Sequence, residues 1–262
     1  MSKKWTKDGR MDYKDLRKKF IEMSGRYDLI NANWTDNGAD FFINAGQKHL
    51  DRMLDLGKAK ARLTKELTAG TFLVTTVGLR AIKEVWVSNS AGMYELAPNK
   101  IADLRYSYGE KFSEVDQGEP AYYAPAVLRP YPDTTVAADV AGYYDIEDLI
   151  LYVAAGATGH WTYNGIVIMP PPDSTYYLSL WGLFYSPTLS ATLSGSTWTQ
   201  VKSFWTEEHP DTLLLAALYK LEVFYRNTEG AKDWKAAMTD DLMGMDHDFV
   251  EEDLNGPSEI GD

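Results

Sequence analysis

The chain has 262 residues, a net charge of −12 and 45% hydrophobic residues, enough to bury one large core or two modest ones. It contains no cysteine, which excludes disulfides, thiolate zinc sites and cysteine nucleophiles. The first ten residues are polar, and no apolar run approaches the ~20 residues of a membrane span. We therefore expect neither a signal peptide nor a transmembrane helix.

The charge is unevenly distributed along the chain. Residues 1–65 hold 15 Lys and Arg against 9 Asp and Glu, residues 66–206 hold 7 against 14, and residues 207–262 hold 4 against 15. Because neutralising phosphates requires clustered basic residues, the acidic body argues against tight nucleic-acid binding. The oppositely charged ends leave three interpretations open: solvated helical faces, electrostatic matching between copies, or an acidic wall along which DNA slides.

Residues 1–62 are predicted to form two helices. Asp12 is a candidate N-cap for the first helix, and Thr35 or Asp36 for the second. The apolar stripe of the first helix comprises Tyr13, Leu16, Phe20, Met23 and Tyr27. That of the second comprises Phe42, Ile43, Gly46, Leu50, Met53 and Leu54. Gly46 within a stripe of this kind indicates close packing between helices.

Residues 63–206 are predicted to form a β-rich domain, because short β-branched and aromatic runs alternate with Gly, Pro, Asn and Ser. The predicted strands are Thr71–Val77, Ala81–Val87, Met93–Leu96, Tyr122–Leu128, Ile150–Ala154, Ile166–Met169 and Tyr176–Tyr185. Ser88–Gly92 is predicted to be a hairpin turn, and Ala191–Thr199 a loop. Ala97–Tyr108 is predicted to contain a brief helix with Pro98 at its start.

Residues 207–254 are predicted to form two further helices, and residues 255–262 a flexible tail. Leu213–Tyr219 is apolar on every side, so this first helix must be covered on more than one face, by the rest of the chain or by another copy. The second helix is acidic and has one apolar stripe. Its candidate interface residues are Trp234, Met238, Leu242, Met245, Phe249, Glu251 and Glu252. The alternative is that this stripe packs on the preceding helix of the same chain.

Patterns typical of catalysis are absent from the sequence. The histidines His49, His160, His209 and His247 lie far apart, and no P-loop, dinucleotide fingerprint or nucleophile elbow occurs. We therefore expect no enzymatic activity, no cofactor and no metal. A divalent cation held by His247 and Glu251 on one helical face is a weaker alternative to an ordinary solvated acidic face.

Aromatic residues suggest one further alternative. Trp161, Tyr163, Tyr143 and Tyr144 could form a sugar-stacking platform in a carbohydrate-binding β-module. Large aromatic side chains more often fill sheet cores and subunit interfaces.

Taken together, these elements predict an α+β protein. The N-terminal and C-terminal helices are expected to pack into one bundle, with residues 63–206 inserted between them as a sandwich-like β-rich domain.

The order of these elements resembles the head-to-tail adaptor, or connector, family of tailed bacteriophages. The similarity is based on Trp34-Thr-Asp between two helices, Ile166-Val-Ile-Met-Pro-Pro-Pro, Tyr176-Tyr-Leu-Ser-Leu-Trp-Gly-Leu-Phe-Tyr and the helix that begins at His209-Pro-Asp-Thr-Leu-Leu-Leu. These short motifs are spread over most of the chain, and the similarity lies in their order and spacing. Residues 132–165 depart from the family pattern as a predicted insertion.

This resemblance implies a structural virion protein without catalytic residues, made in the bacterial cytoplasm and located in the neck between head and tail. It implies a homo-oligomeric ring, a dodecamer, that contacts the portal protein on one side and tail or nozzle proteins on the other. DNA would pass through the ring without sequence-specific binding. A different neck, collar or fibre-anchoring role in the virion is the alternative.

Overall fold

A computed structural model describes residues 11–53, 60–76, 78–109, 112–128 and 163–254. Within these residues the chain forms six α-helices and ten β-strands, so the predicted α+β class is confirmed. The chain divides into two compact units. The helical unit combines residues 1–59 with 185–262, and the β unit comprises residues 60–184. The helical unit thus draws on both ends of the chain, as expected.

The elements follow one another in this order. The first half contains α1 (Tyr13–Ser24), α2 (Ala39–Met53), β1 (Lys60–Leu67), β2 (Leu73–Thr75), β3 (Leu79–Ser88), β4 (Met93–Glu95), β5 (Ala97–Pro98), α3 (Ile101–Tyr108) and β6 (Tyr122–Leu128). The second half contains β7 (Tyr163–Met169), β8 (Tyr176–Phe184), β9 (Ala191–Ser194), β10 (Thr197–Gln200), α4 (Phe204–Glu207), α5 (Pro210–Phe224) and α6 (Thr228–Leu254).

The core of the helical unit forms around α5, which packs against both α2 and α6. Phe42, Leu50, Leu214 and Leu218 share this core, as the sequence predicted. Gly46 allows the close approach of α2 to α5, because a Cβ there would lie 2.7 Å from the backbone nitrogen of Ala217. The apolar circumference of α5 is therefore covered largely by its own chain.

Two of the predicted helical stripes are shorter than expected. In α1, Tyr13, Leu16 and Phe20 are buried, whereas Met23 is exposed near the end of the helix. Tyr27 is also exposed, because Gly25 adopts a left-handed conformation (φ 70°) that ends α1 and changes the direction of the chain. Met53 is exposed at the end of α2, and Leu54 lies outside the described residues.

The β unit contains two four-stranded sheets, in the orders β1-β8-β3-β4 and β2-β7-β6-β5. All neighbouring strands are antiparallel except β5 and β6. One core contains side chains from both sheets, as in a sandwich. A second core joins the β6 and β7 side chains Ala124, Ala126, Val167 and Met169 to Leu104 of α3 and to Phe112. Strand β7 is therefore buried on both faces.

The end of the β domain was predicted incorrectly. Residues 185–206 belong to the helical unit and not to the β unit. The predicted loop Ala191–Thr199 is instead the hairpin β9–β10, in which Gly195 supplies the left-handed turn conformation (φ 62°). The short helix α4 then begins after Ser203, whose backbone nitrogen donates a hydrogen bond of 2.9 Å to Oγ1 of Thr206.

The brief helix in residues 97–108 was confirmed, but its start was wrong. Pro98 lies in β5, and α3 begins three residues later with Lys100 as its N-cap. The predicted hairpin at Ser88–Gly92 is present between β3 and β4. The predicted strand Ile150–Ala154, the tail 255–262 and all of the predicted insertion 132–165 except its last three residues lie outside the described residues.

Candidate functional site

The apolar stripe predicted as an interface is covered by the same chain. Met238, Leu242 and Met245 are buried in the core of the helical unit, and Trp234 packs against that core. The acidic helix α6 lies along α5, which is the alternative that the sequence left open. These four residues therefore do not form an exposed apolar face. The side chains of Phe249, Glu251 and Glu252 lie outside the described residues.

A different apolar surface is exposed on the helical unit. Phe41 of α2 is 66% exposed, Phe224 at the end of α5 is 62% exposed, and Tyr225 is 44% exposed. Phe42 connects them: its ring centroid lies 5.2 Å from that of Phe41 and 5.4 Å from that of Phe224. We call Phe41, Phe224, Tyr225 and the adjoining Arg26 the aromatic surface. Large exposed apolar patches mark sites of protein interaction, and Phe41, Phe224 and Tyr225 are exposed rings grouped around the buried Phe42.

Arg26 forms the polar edge of the aromatic surface. Its guanidinium carbon lies 4.1 Å from the ring centroid of Tyr225, and its Nε and Nη2 atoms donate hydrogen bonds of 2.8 and 2.7 Å to the two carboxylate oxygens of Asp28. The Arg26 guanidinium lowers the pKa of the Asp28 carboxyl. Aromatic side chains combined with arginine are typical of the residues that contribute most to protein interfaces.

A shallow groove of about 480 Å³ adjoins the aromatic surface at Phe41. Its wall is mostly apolar, with a lysine and a carboxylate at its margin. The lining residues are Asp40, Phe41, Asn44, Ala45, Lys48, Thr188 and Leu189. The aromatic surface and the groove together give α2 a face that can accept side chains from another protein.

A buried ion pair holds the first turn of α2 beneath this face. Arg17 is fully buried and donates from Nε and Nη2 to the two Asp40 oxygens, both at 2.7 Å. Its remaining donors reach the carbonyl oxygens of Trp34 (2.9 Å) and Ala191 (3.2 Å). Tyr13 donates a further hydrogen bond of 2.8 Å to Asp40, and burial together with the Asp40 charge raises the pKa of the phenol. These bonds to Asp40 fix the position of the adjacent residue Phe41.

A polar stripe on α2 holds the segment that leads from the β unit back into the helical unit. Asn44 exchanges hydrogen bonds with both backbone groups of Leu189, and Gln47 donates to the carbonyl oxygen of Pro187. Asp51 accepts from the backbone nitrogen of Ser186 at 2.8 Å and from Nε1 of Trp205 at 2.7 Å. The sequence analysis missed this stripe, although its spacing of three and four residues matches one helical face.

The β unit exposes a second aromatic face. On the first sheet, Tyr177 and Trp181 of β8 are exposed on the side away from the core, and Trp86 of β3 is half-buried on the same side. The Nε1 atom of Trp86 donates to Glu84, and Nε of Arg62 donates to the Ser179 hydroxyl at 2.7 Å. Of the predicted sugar platform, Trp161, Tyr143 and Tyr144 lie outside the described residues, and Tyr163 begins β7.

Among the described residues, no group of three or more His, Asp or Glu side chains is arranged to hold a metal ion. The predicted alternative around His247 and Glu251 lies where side chains are not described. Within the described ranges, no helix combines the length and apolar character needed to cross a membrane.

Comparison with models of known protein families and with curated proteins gives no match to this chain.

Proposed function

We propose that the chain is a structural protein of a tailed-bacteriophage virion, a head-to-tail adaptor that assembles into a ring between portal and tail. The aromatic surface is the observation that supports this proposal most directly. Burial of a single exposed phenylalanine is favourable by about 1.5–3 kcal/mol, so Phe41 and Phe224 favour association with another protein chain. The helical unit built from both chain ends agrees with the element order on which the resemblance is based.

The charge of the chain is compatible with a conduit for DNA. A net charge of −12 repeated around a ring, a dodecamer in the family it resembles, repels a polyanion rather than binding it. The proposed assembly has the portal protein and tail or nozzle proteins as its other partners. Its place is the neck of the virion, after synthesis in the bacterial cytoplasm. A collar or fibre-anchoring role is the alternative within the virion, and the location of the density in cryo-electron microscopy distinguishes the two.

The experiment compares the mass of the purified chain alone and mixed with the portal protein of the same virus. We expect a ring-sized species in the mixture. The variant F41S/F224S should remain folded, because both side chains are largely exposed, yet lose that species. Y106S is the matched control, since Tyr106 is an exposed aromatic residue of the β unit. Failure of the wild-type chain to bind portal or tail proteins would overturn the adaptor proposal.

A carbohydrate-binding role is the second candidate. The outward face formed by Trp86, Tyr177 and Trp181, with Arg62 and Glu84 beside them, combines aromatic rings with hydrogen-bonding groups. A glycan array with the wild-type chain and with W181A provides the test. Binding that W181A abolishes would support this role, and absence of binding to any glycan would exclude it.

A further inference from the structure

Three basic side chains lie near His49, where α2, α5 and α6 pack together. The ring centroids of His49 and Tyr219 are 5.4 Å apart, and Nζ of Lys220 lies 5.0 Å from the Tyr219 ring centroid. Arg52 lies one turn beyond His49 on α2, and Lys235 lies on α6, which packs along α5. We call Arg52, Lys220 and Lys235 the basic cluster.

The basic cluster brings like charges together. Burial lowers the pKa of His49 most, and the charges of all three members of the basic cluster lower it further. Burial and the charge of Arg52 likewise lower the pKa of Lys220. Among the described residues, no carboxylate forms an ion pair with a member of the cluster. Because like charges held close together repel one another, an anion bound among them would be stabilising.

The basic cluster is accessible from solvent. Arg52 and Lys235 are exposed, and Lys220 is half-buried. Nε of Arg52 donates a hydrogen bond of 3.4 Å to the hydroxyl of Tyr185, and within the described ranges its two Nη atoms have no hydrogen-bond partner. The Nε2 atom of His49 is buried. An anion that arrives from solvent therefore meets the three cations and not this nitrogen.

A doubly charged phosphate group fits this set of side chains best. The planar guanidinium of arginine can donate to two phosphate oxygens at once, and the ammonium groups of lysine add compact positive charges. A phosphomonoester carries about −1.5 to −2 charges at pH 7, which offsets three cations better than the single charge of a carboxylate. A nucleic-acid backbone requires many basic contacts along an extended surface, which a chain of net charge −12 does not favour.

We propose that the basic cluster binds a phosphate group, either free inorganic phosphate or a phosphomonoester. Arg52 holds two of its oxygens, and Lys220 and Lys235 neutralise the remaining charge. His49 lies beside the site and reports its occupancy, because a nearby anion favours the protonated imidazole. This binding site goes beyond the adaptor role and does not depend on it.

Isothermal titration calorimetry of the full chain with inorganic phosphate at pH 7 tests the site. We expect saturable binding by the wild-type chain. The variant R52Q/K220Q/K235Q should bind phosphate more weakly by about tenfold or more, because all three positive charges are removed. The matched control is K60Q/K65Q/K100Q, which removes the same number of charges from exposed lysines of the β unit. It should bind phosphate as the wild-type chain does.

Nuclear magnetic resonance of the imidazole groups provides a readout that a loss of folding does not imitate. Phosphate should shift the His49 signals, identified by their absence from H49Q, towards those of the protonated ring. The signals of His209, at the start of α5, should not move. In R52Q/K220Q/K235Q the His209 signals should match those of the wild-type chain, which shows that the variant is folded, and phosphate should no longer shift His49.

Two DNA oligonucleotides, one with a 5′-phosphate and one without, distinguish the sources of the phosphate group. Binding of only the phosphorylated oligonucleotide would identify a phosphomonoester as the ligand, and binding of neither, with inorganic phosphate bound, would identify the free ion. An unphosphorylated oligonucleotide that binds as tightly as the phosphorylated one would overturn the inference. So would unchanged phosphate binding by R52Q/K220Q/K235Q, or no saturable binding by the wild-type chain, the result expected if a carboxylate of the same chain occupied the cluster.

Discussion

The two units of the chain satisfy their buried polar groups in different ways. In the β unit, backbone ladders pair most strand amides and carbonyls, and the interior between the sheets is apolar. In the helical unit, side chains of α1 and α2 bind backbone groups more than 130 residues away, at Ser186, Pro187, Leu189 and Ala191. The connecting segment near residue 190 has only one short hairpin of its own. Its fold therefore depends on individual buried side chains.

The strongest test of this difference is the substitution R17M. Arg17 is fully buried, so its removal leaves the Asp40 carboxylate without its bidentate partner. We expect a loss of about 3–5 kcal/mol in the free energy of unfolding, as found when one member of a buried ion pair is removed.

The matched control in the β unit is R62M. Arg62 is exposed; it donates a hydrogen bond to Ser179, and its guanidinium carbon lies 5.6 Å from the Trp181 ring centroid. Because both contacts are at the surface, its substitution should change stability by less than about 1 kcal/mol. Urea denaturation followed by circular dichroism measures both variants. Equal losses for R17M and R62M would refute the contrast between the units.

A smaller effect is expected for D51L. Asp51 accepts hydrogen bonds from Ser186 and from the buried indole of Trp205, and leucine leaves these donors unpaired. The expected loss is about 1–3 kcal/mol. S179A in the β unit should cost about 0.5 kcal/mol, because its partner Arg62 can turn to solvent. Urea denaturation followed by circular dichroism measures both variants, and a D51L variant as stable as wild type would contradict the role of this carboxylate.

The periodicity of the sequence predicted the individual helices and strands better than it predicted how they pair and pack. The stripe through Phe42, Gly46 and Leu50 identified the buried face of α2, and the strand signals of β3, β6 and β8 were confirmed because each strand has a strong apolar pattern. The hairpin β9–β10 was missed, because its Ser, Thr and Gly residues are typical of loops and its pairing depends on one left-handed glycine.

The exposed and polar features required tertiary structure. Asn44, Gln47 and Asp51 have the spacing of a solvated helical face, and nothing local indicates that a distant segment covers them. The exposure of Phe41 also required the structure. Its neighbour Phe42 occupies the apolar stripe, and only the fold reveals which of the two rings is exposed. The stripe from Trp234 to Met245 was equally consistent with docking and with intrachain packing, and α5 covers it.

The smallest expected effect concerns two buried polar groups without a hydrogen-bond partner, His49 in the helical unit and Tyr94 in the β unit. His49 should reduce stability at low pH, and Tyr94 at high pH. His49 in the helical unit has its pKa lowered, chiefly by burial and further by Lys220, Lys235 and Arg52. Tyr94 in the β unit has its pKa raised, chiefly by burial and further by Glu119, and its hydroxyl also has no hydrogen-bond partner.

The direction in which stability changes with pH follows from proton binding by the unfolded chain. The unfolded chain binds a proton at His49 near pH 6.5 while the folded chain does not, so the contribution of His49 is complete above that pH and is lost as the pH falls. Unfolded Tyr94 releases its proton near pH 10 while the folded residue retains it, so that contribution is lost as the pH rises through and above 10.

The variants H49F and Y94F separate the two groups. Relative to wild type, H49F should gain stability only below pH 6.5, and Y94F only above pH 10, each by less than about 1.4 kcal/mol per pH unit for a single titrating group. Denaturant titrations at pH 5, 8 and 10.5, at micromolar concentration to avoid self-association, provide the measurement. An H49F curve parallel to wild type from pH 5 to 8 would mean that His49 titrates as freely in the folded chain as in the unfolded one.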